Sequence, residues 1–439
     1  IVAASADGSG HCLQDGTGYW CGSIQHAYYQ TTLPGTKQQK HVFGNALINV
    51  IADRTGRVQV FNGFRGFSYF GRTVQAGYSY IQVHNTQRGF YSTPGVVPYT
   101  SFRQKFLVNG VDTEVTKENV RIVHQVRTRF HMKRRQSDRA TVMDTVTLTN
   151  VSDQSTTLTH YEIWDSAPYS LTAPLSILLP NKPWSWLNQW VSKQREEFTT
   201  HFLAQAENIS RGIKVTFAYS GAPLREGERS TKNYYLPAVS LTSSDSKTRI
   251  VTAQQSGMKL PSALSLMLAG KPGPIFLAQT EQKLAPHQSV VLHFSYRIDE
   301  QMAAKQGNVP VGVAQSRPEE KGVTHCPLES QQCQQLQREY NWKAKQLASW
   351  GLYRSYYGDV SVPQGSIYAY QEGYDSTPRD IEQTIPALSM TDHSLAQGEL
   401  QLMMSLQEAD PARGEGAGNF SYGMWGYGCA GDKHERGCV

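Results

Sequence analysis

The sequence predicts a mainly β protein that ends in helices, and two observations support this fold class. As far as Asp299, short segments rich in β-branched residues alternate apolar and polar positions and are separated by turn-forming dipeptides. From Leu328 onward, apolar residues instead recur at helical spacing. Regularly spaced strands with no helical segment between them favour a large antiparallel β-sandwich for the first part.

The strands of this first part are predicted wherever period-two alternation or dense β-branched residues occur. They lie at Val42–Ile51, Val58–Phe61, Gln104–Val108, Thr113–Val120, Ile122–Phe130, Ala140–Thr149, Thr156–Trp164, Gly212–Ala218, Pro274–Gln282 and Ser289–Ile298. The dipeptides Asn109-Gly110 and Ser152-Asp153 stand between neighbouring segments and are typical of β-hairpin turns.

The remaining chain is predicted to hold a linker and several helices. Hydrophobic periodicity lapses over Gln301–Gly322 and resumes at helical spacing over Leu328–Trp350. Thr377 can cap a further helix, and another is predicted over Asp392–Glu408. The expected domains are a β-sandwich at residues 1–299, a linker with a helix at 300–352, and a helical region at 353–439.

The overall composition limits which binding partners and which cellular compartment are expected. The 439 residues carry a formal net charge of +6, and the densest basic run, Lys133-Arg134-Arg135, is soon followed by Asp138, so no nucleic-acid groove is expected. No apolar run reaches the roughly 20 residues that a membrane span needs. Low charge content with many tyrosines is typical of a secreted β-rich protein, and a start at Ile1 suggests a processed N-terminus.

Cysteines and glycosylation triplets favour secretion into an extracellular or periplasmic space. Six cysteines fall in three close pairs, and neighbour pairing is the simplest connectivity because each bridge would close a short loop. The predicted disulfides are Cys12–Cys21, Cys326–Cys333 and Cys429–Cys438. Three asparagines begin Asn-x-Ser triplets and are glycosylation acceptors if the source is eukaryotic: Asn150, Asn208 and Asn419.

No sequence pattern indicates a metal, a cofactor or an activated nucleophile. The cysteines lack metal-ligand spacing, and His124, His131 and His160 are scattered over predicted strands, where lone histidines are mostly structural. No serine or cysteine with a spaced histidine and acid stands out. The glycine-rich Gly414–Gly418 lacks the lysine of a P-loop. We therefore expect neither a metal nor a cofactor.

The stretch Gln364–Gln383 has the composition of a carbohydrate site. It is a glycine-punctuated, tyrosine-rich loop that leads into a capped helix, with Arg379 in the first turn and Gln383 one turn further on. A guanidinium fork, the Asp380 carboxylate and an amide can bond vicinal hydroxyls, while rings such as Tyr374 cover the C–H face of a sugar. The competing interpretation is a capped surface helix with an Arg–Asp pair.

The motifs Gly373-Tyr-Asp-Ser-Thr-Pro-Arg-Asp-Ile-Glu-Gln383 and Asp392-His-Ser-Leu-Ala-Gln-Gly-Glu-Leu400 resemble carbohydrate-active enzymes with a β-sandwich followed by an (α/α)6 barrel. The chain is most similar to the cellobiose-phosphorylase and cyclic-glucan-synthase group and to related glycoside hydrolases. In that group, a loop ending in Arg-Asp-x-x-Gln enters the first barrel helices and helps form the sugar subsite. The resemblance implies a large sandwich (a supersandwich), a linker helix and the first helical hairpins of the barrel. The implied sugar-binding residues are Glu372, Tyr374, Arg379, Asp380 and Gln383.

Two departures from this group affect what the chain can do. Thr384 stands where the group often has an aspartate. The segment from Tyr353 to Val439 is also too short for a complete barrel, and the group's proton-donating carboxylate lies on a later barrel loop. We therefore expect the general acid outside this chain. The chain would be a fragment, a processed N-terminal product, or a subunit whose barrel is completed by a second chain or by further copies.

The chemistry expected of the site is glycoside cleavage, which needs a carboxylic acid on one face and a base or phosphate on the other. Asp380, beside Arg379 at a helix N-terminus, should stay ionised and act as a binder. The other carboxylates considered are Glu162, Asp165, Glu372 and Asp375. Scarce extracellular phosphate favours hydrolysis of an oligo- or polysaccharide over phosphorolysis. Two further classes stay open: a non-catalytic carbohydrate-binding or matrix protein, and an assembly protein that uses its sandwich as an interface.

Overall fold

The computed structural model of the chain shows a mainly β protein built from two large antiparallel sheets. It describes residues 12–14, 19–21, 40–45, 48–53, 55–62, 68–70, 74–93, 101–107, 109–128, 140–170, 202–219, 237–253, 257–271, 273–299, 333, 352–354, 359–361, 385–390 and 393–406. These residues confirm the predicted β-sandwich.

The strands, in chain order, are β1 Cys12–Gln14, β2 Tyr19–Cys21, β3 Lys40–Asn45, β4 Ile48–Asp53, β5 Val58–Asn62, β6 Ser68–Phe70, β7 Ala76–Val83, β8 Arg88–Tyr91, β9 Ser101–Leu107, β10 Gly110–Lys117, β11 Val120–Thr128, β12 Thr141–Asn150, β13 Thr156–Asp165, β14 Pro168–Ser170, β15 Phe202–Ile209, β16 Gly212–Tyr219, β17 Val239–Ser243, β18 Arg249–Thr252, β19 Ile275–Leu284, β20 Ser289–Ile298, β21 Leu352–Arg354 and β22 Asp359–Ser361. The helices are α1 Ser262–Leu268 and α2 His393–Leu406, with further helical residues at 385–390.

The first sheet runs in the order β1-β2-β9-β10-β11-β12-β20-β17-β16-β15. The second runs β14-β6-β5-β7-β13-β19-β18, with β4 joining it through β5, β3 pairing with β4, and β8 pairing with β7. Strands β21 and β22 form a separate hairpin. All described pairs are antiparallel, as the hairpin-forming turns predict.

The main core lies between the two sheets, where alternate residues of each strand point inward. Strand β12 alternates strictly between buried and half-buried positions along its length. From the second sheet, Trp164 reaches across and stacks on Tyr296 of the first sheet, with ring centroids 4.9 Å apart. Large buried rings of this kind contribute much of the free energy of a sandwich core.

A smaller core covers the outer face of the second sheet. There the short helix α1 places Leu264, Met267 and Leu268 against Tyr78 and Ile163. The central strand β13 is therefore buried on both faces, so it lacks the alternation of β12. The sequence analysis predicted no helix within the sandwich region, and α1 corrects that prediction.

The predicted strand Val42–Ile51 is also wrong in detail, because it is a hairpin of β3 and β4 in which Asn45 pairs with Ile48. Both arms are apolar, so a pattern of hydrophobicity alone joins them into one strand. The other predicted strands coincide with observed strands to within a few residues.

At the C-terminal end, α2 confirms the helix predicted over Asp392–Glu408. Leu388, Leu395 and Ala396 join the same hydrophobic core as the sandwich, so these helical residues pack onto it. The predicted linker and most of the predicted helix at 328–350 lie outside the described residues, although Cys333 is helical. The domain boundaries and the barrel stay predictions. No helix among the described residues is long and apolar enough to cross a membrane.

Candidate functional site

The sugar-binding residues predicted from the sequence, Glu372, Tyr374, Arg379, Asp380 and Gln383, lie outside the described residues. The nearest described elements are the helical residues 385–390 and α2, which follow the motif along the chain. Within α2, Glu399 is fully buried on the face that carries Leu395 and Ala396. The predicted sugar site therefore stays a prediction.

The described residues instead bring together five polar side chains inside the sandwich, which we call the core polar cluster: Ser79, His124, Asp144, His160 and Glu162. All five are buried. His124 and Asp144 lie on adjacent strands of the first sheet, and the other three lie on β7 and β13 of the second. Each occupies an inward position of its strand, so the two sheets jointly enclose the cluster.

The Ser79 hydroxyl is the centre of this cluster. Its oxygen lies 2.8 Å from His124 Nε2 and 2.7 Å from His160 Nε2, and its hydrogen is donated to Glu162 Oε2 at 2.8 Å. Because a hydroxyl has one hydrogen, it accepts hydrogen bonds from both imidazoles. This arrangement places a proton on Nε2 of His124 and of His160.

His124 also connects Ser79 to an acid, since its Nδ1 lies 3.2 Å from Asp144 Oδ2. Serine, histidine and aspartate stand in the order of a catalytic triad, but here His124 donates its Nε2–H to Ser79, whereas the histidine of a triad accepts the serine proton. Ser79 is however completely buried between the sheets, so an external substrate cannot reach it. The arrangement is therefore a structural network rather than a hydrolytic site.

Burial sets the protonation of two cluster members. The pKa of Glu162 is raised well above its usual value, mainly by burial and next by the charge of the neighbouring Asp144. The hydrogen bond from Ser79 lowers this pKa but does not offset the two raising effects. The Trp164 indole also lowers this pKa, although its N–H makes no hydrogen bond of good geometry. Burial, together with the charge of His124, lowers the pKa of His160 to about 3.

The sequence pattern does not predict this cluster. It predicted separate structural roles for His124 and His160, whereas the structure places both imidazoles on one hydroxyl. It also found no serine with a suitable histidine and acid. A signal was available in β12, where Asp144 occupies an inward position between Val142 and Val146.

A second group of polar-tipped side chains lies on the outer face of the second sheet. The Tyr80 and Tyr91 rings meet edge to face with centroids 4.9 Å apart, and the Arg57 guanidinium lies 4.6 Å from the Tyr78 ring centroid. Tyrosine rings can carry sugars, but Tyr78, Tyr80 and Tyr161 are buried. The Tyr78 hydroxyl contacts Met267 Sδ of α1 at 3.4 Å. These rings therefore pack the sheet against α1.

The described residues bear on part of the disulfide prediction. Cys12 and Cys21 lie directly opposite each other on the antiparallel strands β1 and β2, a register that suits a disulfide. Cys333 is disulfide-bonded. Cys326, Cys429 and Cys438 lie outside the described residues, so the three pairings stay predictions.

The glycosylation prediction is corrected at Asn150. Its side chain is fully buried, and its amide nitrogen donates to the carbonyl oxygens of Gln154 at 2.7 Å and Ala285 at 3.0 Å. A glycan on this nitrogen would displace both bonds, so we no longer expect one there. Asn208 is exposed on β15 and stays a candidate, and Asn419 lies outside the described residues.

Comparison with known proteins finds similarity at the level of fold. No protein-family model and no curated protein matches the chain. The structure is similar to that of a protein described as a kojibiose phosphorylase from the human microbiome, with a TM-score of 0.50 and 8% sequence identity over 92% of this chain. This likeness shows a shared fold. The chain spans 50% of the length of that protein.

Two further structures are more distant. One is described as a polysaccharide lyase, with a TM-score of 0.29 and 10% identity over 62% of this chain and 34% of the other. The second is described as an aldose 1-epimerase from Escherichia coli K12, with a TM-score of 0.28 and 10% identity over 60% of this chain and 99% of the other. TM-scores this low support no argument about the chain.

Proposed function

We propose that the chain is the N-terminal part or a subunit of a glycoside hydrolase that acts on an oligo- or polysaccharide. One observation carries the proposal: 92% of the chain aligns with half of a protein described as a kojibiose phosphorylase. The sequence motifs add the expectation of a sandwich followed by the beginning of a barrel. The general acid would lie outside this chain, on a segment or partner chain that completes the barrel.

In this proposal the chain supplies one wall of the sugar subsite. Arg379 presents its guanidinium fork to adjacent ring hydroxyls, and Asp380 accepts from a further hydroxyl. Gln383 lies one helical turn beyond Arg379 and adds an amide, while Tyr374 covers a sugar face and Glu372 accepts from the same loop. The helical residues around Leu388 and Leu395, packed on the sandwich core, would hold this helix entrance in place.

Phosphorolysis is the second candidate, because the structural neighbour is described as a phosphorylase. Hydrolysis and phosphorolysis share the sugar subsite and differ in the nucleophile that attacks the anomeric carbon. Disulfide-bonded Cys333 favours an oxidising compartment outside the cytoplasm, where phosphate is scarce. This supports a secreted hydrolase.

The experiment that tests the proposal measures products from the native protein. Kojibiose, cellobiose and longer glucans would be incubated with it in the presence and absence of inorganic phosphate. We expect free sugar in both conditions. A sugar 1-phosphate formed in the presence of phosphate would favour phosphorolysis. The absence of any product, together with the absence of oligosaccharide binding, would contradict the carbohydrate assignment.

A further inference from the structure

We propose that the core polar cluster binds one divalent transition-metal cation through His124, Asp144 and Glu162. The cation would join the two sheets from within, since His124 and Asp144 belong to the first sheet and Glu162 to the second. This inference concerns the stability of the sandwich and is independent of the proposed sugar site.

The geometry brings the three ligand atoms close enough for one ion. Each of the three residues offers one ligand atom, and these atoms all lie within 4.8 Å of one another. Metal–ligand bonds of about 2.0–2.2 Å place tetrahedral ligand atoms about 3.3–3.6 Å apart. His124 Nδ1 and Asp144 Oδ2 are already separated by 3.2 Å. Ligand atoms at the upper end of this 4.8 Å range would have to come closer when the cation binds.

Unsatisfied oxygen atoms point to a positive charge in this position. Asp144 Oδ1 and Glu162 Oε1 are buried and have no hydrogen-bond partner among the described residues while both carboxyl groups are ionised; a proton on one of them would let the two groups bond each other. Two neighbouring carboxyl groups in a dry interior repel each other when both are ionised. They therefore need a cation or a proton between them. A divalent ion would balance the charge of both carboxylates.

The surroundings of His124 favour its role as a ligand. Its Nε2–H donates to the Ser79 hydroxyl at 2.8 Å, which leaves Nδ1 facing the Asp144 carboxylate at 3.2 Å, while Glu162 Oε2 lies 4.0 Å from Nε2. Metal-bound imidazoles almost always donate their second ring N–H in this way, because that bond fixes the ring orientation and the tautomer. The same hydroxyl donates to Glu162 Oε2 at 2.8 Å, so Ser79 orients two of the three ligands.

The donor set selects the class of metal. A neutral imidazole with two carboxylates suits Zn²⁺ or Mn²⁺, whereas Ca²⁺ and Mg²⁺ are bound mainly through oxygen. The ligands are almost completely shielded from solvent, so the site has no open face for a substrate. Three protein ligands leave a fourth coordination position, but no substrate can reach it in this buried place, so the cation would act on the stability of the fold and not in catalysis.

A shared proton is the competing way to satisfy the same atoms. In that case Glu162 stays protonated, His124 carries protons on both nitrogens, and its Nδ1–H pairs with Asp144. The cluster is then neutral without any metal. Glu162→Gln separates the two explanations, because glutamine imitates a protonated glutamate in shape and polarity but is a poor metal ligand.

The test uses the full chain, stripped with EDTA, titrated with Zn²⁺ alone and dialysed. We expect one Zn²⁺ per chain by elemental mass spectrometry and a higher Tm than in EDTA. Co²⁺ should give the visible absorption of a low-symmetry site. Glu162→Gln should retain about one tenth of the metal that the wild type holds, or less, and EDTA should not change its Tm. Glu207→Gln, which alters an exposed carboxylate on β15, is the matched control and should behave like the wild type.

Two results together would overturn the proposal in favour of the shared proton. The wild type and Glu162→Gln would hold equal amounts of metal, and neither EDTA nor Zn²⁺ would change the Tm of the wild type. Metal held by surface histidines would appear equally in all three proteins. If Glu162→Gln fails to fold, the wild-type measurements still decide, because a metal-free wild type whose Tm ignores added Zn²⁺ contradicts the proposal.

Discussion

At the scale of single residues, His41 shows how the sandwich interior controls a titratable group. The imidazole lies between Phe43 and Phe106, with ring centroids 5.7 and 5.1 Å away, and its Nε2 donates to the Leu107 carbonyl oxygen at 2.7 Å. Burial lowers the pKa of His41 to about 4, against the raising effect of this hydrogen bond. The neutral imidazole is therefore the form that fits the fold.

This pKa predicts a loss of stability in mild acid. The pKa of His41 is lower in the folded state than in the unfolded state. Its full contribution to the free energy of unfolding is therefore present above about pH 6.5 and is lost as the pH falls toward 4. The loss amounts to roughly 3 kcal/mol. His41→Gln keeps a donor for Leu107 and cannot titrate. Denaturant unfolding between pH 7 and pH 4 should show a steeper decline for the wild type, and parallel curves for the two proteins would disprove this role of His41.

The sequence could predict some residue environments but not the contacts between them. Alternation along β11 and β12 places His124 and Asp144 at inward positions. Ser79 could not be found, because its strand β7 was not predicted. Its polar neighbours also lie 45 to 83 residues away in sequence. Which inward residues meet depends on how the two sheets face each other, and that is a long-range property of packing.

At the scale of elements, β12 and β13 were predicted, whereas β7 and α1 were not. Strand β12 has the alternation that a sequence pattern detects, and β13 is dense in β-branched residues, whereas β7 is buried on both faces and lacks both signals. The second covering layer comes from α1, whose seven residues are too few for a clear helical period. Helix α2 was predicted because its fourteen residues repeat the pattern.

The packing of α2 gives a prediction with a control on the same helix. Leu395 is buried in the core shared with the sandwich, whereas Leu400 is 51% exposed. Leu395→Ala should lower the free energy of unfolding by about 2–5 kcal/mol, because it leaves a cavity beneath the helix. Leu400→Ala should change it by less than about 0.5 kcal/mol. Equal effects in urea unfolding would show that α2 is not anchored through Leu395.

At the scale of the whole molecule, the sandwich and the helix at residues 393–406 were predicted from the sequence, and the barrel stays a prediction. The chain spans 50% of the length of the structure described as a kojibiose phosphorylase. That likeness shows the fold and does not test the barrel, because the predicted barrel-entry motif lies outside the described residues.

The oxidation state of the chain is a whole-molecule prediction. We expect six cysteines in three local bridges, supported by the opposed register of Cys12 and Cys21 and by the bonded state of Cys333. Denatured, unreduced protein should take up no thiol reagent, and peptide mapping should recover neighbouring pairs. Free thiols, or bridges between distant cysteines, would remove the argument for secretion.

The carbohydrate subsite is tested most directly by calorimetric titration of the native protein with gluco-oligosaccharides. We predict saturable binding that Arg379→Lys weakens by about 1–3 kcal/mol, because lysine keeps the charge but loses the two-pronged geometry. The melting temperature of this variant should barely change. Arg103→Lys, an exposed change on β9, should bind as the wild type does. Unchanged affinity in Arg379→Lys together with a lower melting temperature would contradict the subsite, since Arg379 would then support the fold and not the sugar.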